Sequence, residues 1–162
     1  MAFNIVLVEP EIPQNTGNVA RTCAATGCSL HLVRPLGFEI ADKHLKRAGL
    51  DYWPMVSLFY HDSFDELRAK FSDKQFYFAT TKAAKYYADV NYPEGCFIVF
   101  GKETKGLDEE LLYKNYENCI RIPMMEGNRS LNLSNSVAII LYEAFRQCGF
   151  SGLKSEGRLT KY

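Results

Sequence analysis

The sequence has no net charge, because nineteen Lys and Arg are balanced by nineteen Asp and Glu. A general positive field is therefore missing, which excludes loose binding to any polyanion through overall charge. A reader of nucleic acid would need its Lys and Arg gathered on one face. Histidine is scarce, and His31, His44 and His61 stand in no helical ligand spacing. The five cysteines (Cys23, Cys28, Cys96, Cys119, Cys148) are odd in number and form no C-x-x-C pair. That pattern argues for scattered thiols in a reducing compartment rather than a disulfide framework or a zinc site. Long hydrophobic runs are absent as well. No apolar stretch approaches the length that spans a bilayer, and the run from Phe3 to Val8 stops at Glu9-Pro10, too short for a signal peptide. The expectation is a cytoplasmic protein with no membrane partner and no metal.

Common nucleotide and hydrolase signatures are missing too. No G-x-G-x-x-G follows the first apolar run, and there is no G-x-x-x-x-G-K-[ST]. Neither a G-x-S-x-G elbow nor a pair of metal-spaced histidines is present. These absences argue against a conventional Rossmann dehydrogenase, a P-loop ATPase and a serine hydrolase.

What remains is an ordinary globular composition, 47% hydrophobic and 23% charged over 162 residues. Such a chain can bury a core without staples and fits one domain. We expect that domain over residues 1–150, followed by a polar, mildly basic tail over 151–162. Lys154, Arg158 and Lys161 in the tail are either simply solvated or nonspecific phosphate contacts.

Asn4 to Val8 is a β-branched apolar run typical of a strand buried on both faces. Pro10 and Pro13 mark a loop, after which Asn15, Thr16 or Gly17 opens a helix that Gly27 ends. Leu30 to Val33, Val56 to Phe59, Phe76 to Thr80, Phe97 to Phe100 and Cys119 to Ile122 read as strands. Helices are expected over Asp42 to Ala48, Ser63 to Phe71, Asp108 to Tyr113 and Ser134 to Cys148. In the last of these Val137, Leu141, Ala144 and Cys148 recur at helical spacing. Alternating strands and helices imply an α/β fold, a mostly parallel sheet with helices on both faces.

In open parallel sheets ligands bind where loops leave the carboxyl ends of strands. Three such loops are unusual: Pro13 to Arg21, Phe100 to Leu107, and Ile122 to Ser136. Each has a plain explanation, since Asn and Ser cap helices and Gly permits tight turns. Glu103 in particular reads equally as an exposed glutamate or as a group that accepts a hydrogen bond within a ligand pocket or steadies its loop. Together the three loops gain weight. All are polar and rich in Gly or Asn, and all follow apolar strands, so main chain can approach a ligand closely.

In order, these loops carry N-x-G-N-x-x-R (Asn15, Gly17, Asn18, Arg21), F-G-x-E-x-x-G-L (Phe100 to Leu107) and S-L-N-L-S-N-S-V-A (Ser130 to Ala138). They resemble the three motifs of SPOUT RNA methyltransferases. The opening IVLVEPEIPQNTGNVARTCAATG and the stretch AGLDYW (Ala48 to Trp53) are similar to one small branch, the tRNA (cytidine/uridine) 2′-O-methyltransferases of the wobble nucleotide. The resemblance implies a C-terminal deep trefoil knot, which general topology rules would not suggest. It implies S-adenosyl-L-methionine (SAM) as cofactor, held largely through backbone at Ala79, Gly101, Ile122, Ser130 and Leu131. It further implies Arg21 as catalytic residue, with Asn15, Asn18, Arg129 and Tyr142 as RNA contacts. The implied partners are the anticodon stem-loop of tRNA, leucine tRNAs in the branch concerned, and a second copy in a homodimer. Tyr142 also fits simple packing on an amphipathic helix. Other readings stay open: a 2′-O-methyltransferase of another RNA such as rRNA, or a non-catalytic factor that binds SAM and RNA.

Overall fold

The structure, a computed structural model, describes residues 3–39, 52–154 and 156–161. The expected helix over Asp42 to Ala48 lies outside the described residues. Among the described residues, seven strands make one sheet: β1 (Asn4–Val8), β2 (Ser29–Val33), β3 (Ser57–His61), β4 (Phe76–Ala79), β5 (Lys85–Tyr86), β6 (Phe97–Phe100) and β7 (Cys119–Arg121). Their order is β3-β2-β1-β6-β4-β7-β5, and every pairing is parallel. The helices are α1 (Pro13–Thr26), α2 (Phe64–Lys70), α3 (Glu109–Lys114) and α4 (Leu133–Gln147), with 3₁₀ turns at Trp53–Met55 and Tyr116–Asn118.

The strand period of two divides the core between the faces of the sheet. Ile5 and Leu7 of β1 and Ile98 and Phe100 of β6 pack with Val19 and Cys23 of α1 and Ile140 and Leu141 of α4. The alternate residues Val6, Phe97 and Val99 pack on the other face with Leu67 of α2 and Leu112 of α3. Ile5, Val6 and Leu7 have no exposed surface at all, the signature of a central parallel strand covered on both sides. The parallel α/β architecture expected from the alternation is thus the observed one.

Boundaries differ in instructive ways. α1 starts at Pro13, two residues before the first expected cap. Proline at the first helical position loses nothing, because its missing N–H would have no intrahelical partner. Its far end is as expected, with Gly27 left-handed at φ 69° and the Cys28 N–H returning to the Cys23 carbonyl at 3.1 Å. α4 is capped by Asn132, whose side-chain oxygen accepts from the Ser134 and Asn135 amides. The short strand β5 was not expected from the pattern, since two exposed residues carry no hydrophobic alternation. After α4, Leu153 folds back against the core, so the chain beyond Ser151 begins as an attached turn. Among the described residues no helix is long and apolar enough to cross a membrane.

Candidate active site

The sheet order brings the carboxyl ends of β1, β6, β4 and β7 side by side, and the three unusual loops leave from there. β6 lies between β1 and β4, so the loop after Phe100 is flanked by the loop after Val8 and by Ala79-Thr80. A cavity of about 500 Å³ opens among them. Its apolar floor includes Ile120, Ile122 and Ile140, and its polar rim includes Asn15, Lys82, Lys105 and Arg129. That volume is in the range of cofactor sites, and the lining mixes apolar and polar residues in about equal measure.

Hydrogen bonds lock the loops to one another. The Glu103 carboxylate accepts from the Glu11 amide at 2.8 Å, the Ile12 amide at 3.1 Å and Asn15 Nδ2 at 3.1 Å. This explains a gap in α1. The helix has neither a capping side chain nor an acidic residue in its first turn, and Glu103 supplies a negative acceptor there from across the fold. Two neighbours of Glu103 reach the same loop. Lys102 pairs with Glu9 at 2.5 Å, and the Thr104 amide and hydroxyl donate to the Glu11 carboxylate. Asn15 also carries the link onward, because its Oδ1 accepts from Asn132 Nδ2 at 2.9 Å. First, second and third loops are therefore joined through the Glu103–Asn15–Asn132 chain.

The second loop is a tight fold that needs glycine twice. Lys102 and Gly106 form an antiparallel bridge, and Gly106 is left-handed at φ 70°. A Cβ on Gly101 would sit 2.1 Å from the Gly106 carbonyl carbon, so the loop can close only over a bare backbone.

Of the residues singled out in the sequence, Ala79, Gly101, Ile122, Ser130 and Leu131 all line the cavity, and so do Asn15 and Arg129. Arg21, Asn18 and Tyr142 do not. Arg21 and Asn18 are exposed on α1, and Tyr142 is exposed on α4 with its ring 6.4 Å from that of Phe145. Residue-by-residue inspection of the sequence missed the contributions of Glu9, Glu11, Thr104 and Lys82. No local signal marks the first two, since the acids of E-P-E-I-P find their partners about ninety residues away. The five cysteines are free, four of them buried, and among the described residues no cluster of three or more His, Cys, Asp or Glu could hold a metal.

Fold and cavity together define an α/β protein with a cofactor-sized site at the carboxyl edge of a parallel sheet. Residues 2–142 match the SpoU rRNA Methylase family, and the chain belongs to it. It is 50% identical over 153 residues to the tRNA (cytidine(34)-2'-O)-methyltransferase of Saccharophagus degradans, covering 94% of this chain and 99% of that protein. The enzyme of the same name from Methylovorus glucosotrophus is 49% identical over 151 residues, covering 93% and 98%. A solved structure described as giving structural insights into the 2-OH methylation of C/U34 on tRNA superposes with a TM-score of 0.87 at 43% identity, over 92% of this chain and 97% of that one.

Proposed function

We propose that this protein methylates the 2′-hydroxyl of the wobble ribose, cytidine or modified uridine, in the tRNA anticodon, with SAM as methyl donor. One observation carries the reading: the three motif loops converge on one cavity and are bonded into a single unit through Glu103, Asn15 and Asn132. Relatives at about half identity and nearly full coverage are named for this reaction. The residues fit the cofactor. The cavity of about 500 Å³ suits a nucleoside-sized ligand, and the bare Gly101–Gly106 backbone offers a close approach that a Cβ would block. Ala79, Gly101, Ile122, Ser130 and Leu131 would hold it. When bound, SAM supplies an electrophilic methyl on a sulfonium.

The chain must then present a weak nucleophile in line and relieve it of its proton. Arg21 is assigned to presenting the hydroxyl, while the proton passes to the neighbouring RNA phosphate or to water and the sulfonium leaves as the neutral thioether. A guanidinium is not deprotonated in proteins, so it serves by holding the neighbouring phosphate and orienting the hydroxyl, not as a base. Arg129 at the cavity rim, with Asn15, Asn18 and Tyr142, is assigned to RNA contact.

A homodimer belongs to the same proposal. Arg21 lies outside the cavity lining of its own chain, and Ile139 and Tyr142 leave apolar surface exposed on α4, which packs on α1. A second copy would cover that surface and bring an arginine to the site. A trefoil knot in the C-terminal part belongs to the same proposal and rests on family membership. The strand order, with β6 inside β4 and β7 outside it before α4 packs on α1, is compatible with it. We assign residues 1–150 to one catalytic domain and 151–162 to a tail, the protein to the cytoplasm, and leucine tRNAs as substrates.

The test is methyl transfer from labelled SAM to total RNA, tRNA and rRNA together, mapped nucleotide by nucleotide, for wild type and Arg21→Ala. Label at the wobble ribose of leucine tRNAs, lost in the variant, is the expected result. Label in rRNA alone, or SAM binding without any transfer, would overturn the assignment of substrate or of activity respectively.

A further inference from the structure

Arg21 is held in an unusual way. Its guanidinium carbon lies 5.1 Å from the centre of the Tyr52 ring, within cation–π range. No hydrogen bond or ion pair from the Arg21 guanidinium to another described residue accompanies that contact. The difference matters chemically. A carboxylate partner would occupy the N–H fork that recognises phosphate, whereas a ring face steadies the cation and leaves its five donors free.

The backbone that carries the ring is itself fixed in place. Tyr52 opens the 3₁₀ turn Trp53–Met55, closed by the Met55 amide on the Tyr52 carbonyl at 2.9 Å and the Val56 amide on the Trp53 carbonyl at 3.2 Å. That turn packs on α1, and Trp53 is anchored against the core shared by α1 and α4. Tyr52 is half-buried while Arg21 is exposed, so the ring belongs to the scaffold and the arginine leans on it. Free in water, an arginine side chain would spread over many rotamers, and ordering it costs up to about 2 kcal/mol. A preset ring face lowers that cost before RNA arrives.

We infer that Tyr52 is a positioning residue for methyl transfer, one that pre-orients Arg21 through its ring face while keeping the guanidinium donors free for the RNA. This rests on the assignment of Arg21 above. Because the ring face and not the hydroxyl does the work, phenylalanine should serve and an aliphatic side chain should not.

The experiment measures single-turnover methyl transfer to unmodified tRNA at saturating SAM, with SAM affinity and thermal melting determined for each variant. Tyr52→Leu is expected to lower the transfer rate about two- to fivefold, the range a cation–π contact at an exposed site supports. SAM affinity should stay at the wild-type value, and Tyr52→Phe should keep the wild-type rate. A wild-type rate for Tyr52→Leu, beside an inactive Arg21→Ala, would overturn the role of Tyr52 and leave the proposed function standing. Equal losses for Phe and Leu would overturn the ring-face argument. So would a loss in Tyr52→Leu that tracks weakened SAM binding or a lowered melting point. Full activity of Arg21→Ala would remove the assignment on which both rest.

Discussion

Glu103 shows how much a single side chain can join. Its carboxylate takes three N–H groups from a segment about ninety residues earlier, two of them at the uncapped start of α1. Glu103→Gln keeps the shape but turns one acceptor oxygen into an NH₂ group, which then faces a donor. Leaving a half-buried donor unsatisfied costs about 1–3 kcal/mol, so urea unfolding should show a loss of that size with weaker SAM binding. An unchanged urea midpoint would return Glu103 to the surface. Gly101→Ala attacks the same loop from the other side, because the new methyl must displace the Gly106 backbone. Overpacking of about 1–3 kcal/mol predicts SAM affinity about 5- to 150-fold lower by calorimetry. At this scale the sequence was half legible. The spacing of Gly101, Glu103 and Gly106 marked a special loop. The identity of Glu103's partners was not readable, because nothing local in a sequence links residue 103 to residues 11, 12 and 15.

Among the elements, α4 carries two duties on one residue. Asn132 caps the helix with its oxygen and reaches Asn15 with its nitrogen, and replacement separates the two. Asn132→Ala loses both and should lower stability by about 1 kcal/mol, as cap removal does. Asn132→Asp keeps the cap and suits the helix dipole, but sets a carboxylate against Asn15 Oδ1. It should therefore fold at least as stably as wild type while transferring methyl more slowly. Equal activity in Asp and wild-type proteins would sever the Asn15 link from function. Strong, periodic elements such as β1, β6 and α4 were legible from hydrophobic pattern alone. β5 was not, because an exposed two-residue strand is defined only by its ladder to β7. The start of α1 was misplaced because its cap comes from another part of the chain.

Across the whole molecule, one buried pair ties stability to pH. His31 of β2 and His61 of β3 meet at 3.0 Å between Nδ1 and Nε2, and His31 Nε2 faces Asn4 Oδ1 at 3.2 Å. Asn4 Nδ2 donates to the Gly95 carbonyl, which fixes its oxygen as the acceptor toward His31. Neutral His31 therefore donates from Nε2 and accepts at Nδ1. Burial first, then the nearby His61 and Lys70, push its pKa from 6.5 down to about 3, and burial lowers that of His61 as well. Protonation is thus refused by the folded state and accepted by the unfolded one. Stability is complete above about 6.5 and is lost progressively as pH falls toward about 3. A urea midpoint that falls with pH while still above the carboxylate range, with a weaker slope in His31→Gln, would bear this out, and a flat midpoint would not. These histidines sit far apart in sequence and in no motif, so only the β2–β3 register reveals them.

The most direct test of the central claim uses two synthetic anticodon stem-loops that differ only in the sugar of the wobble nucleotide, ribose in one and 2′-deoxyribose in the other. Incubated with the protein and labelled SAM, the ribose form should be methylated and the deoxy form should remain unlabelled. Equal labelling of both would place the methyl on a base or at another nucleotide, and would contradict 2′-hydroxyl transfer at the wobble position.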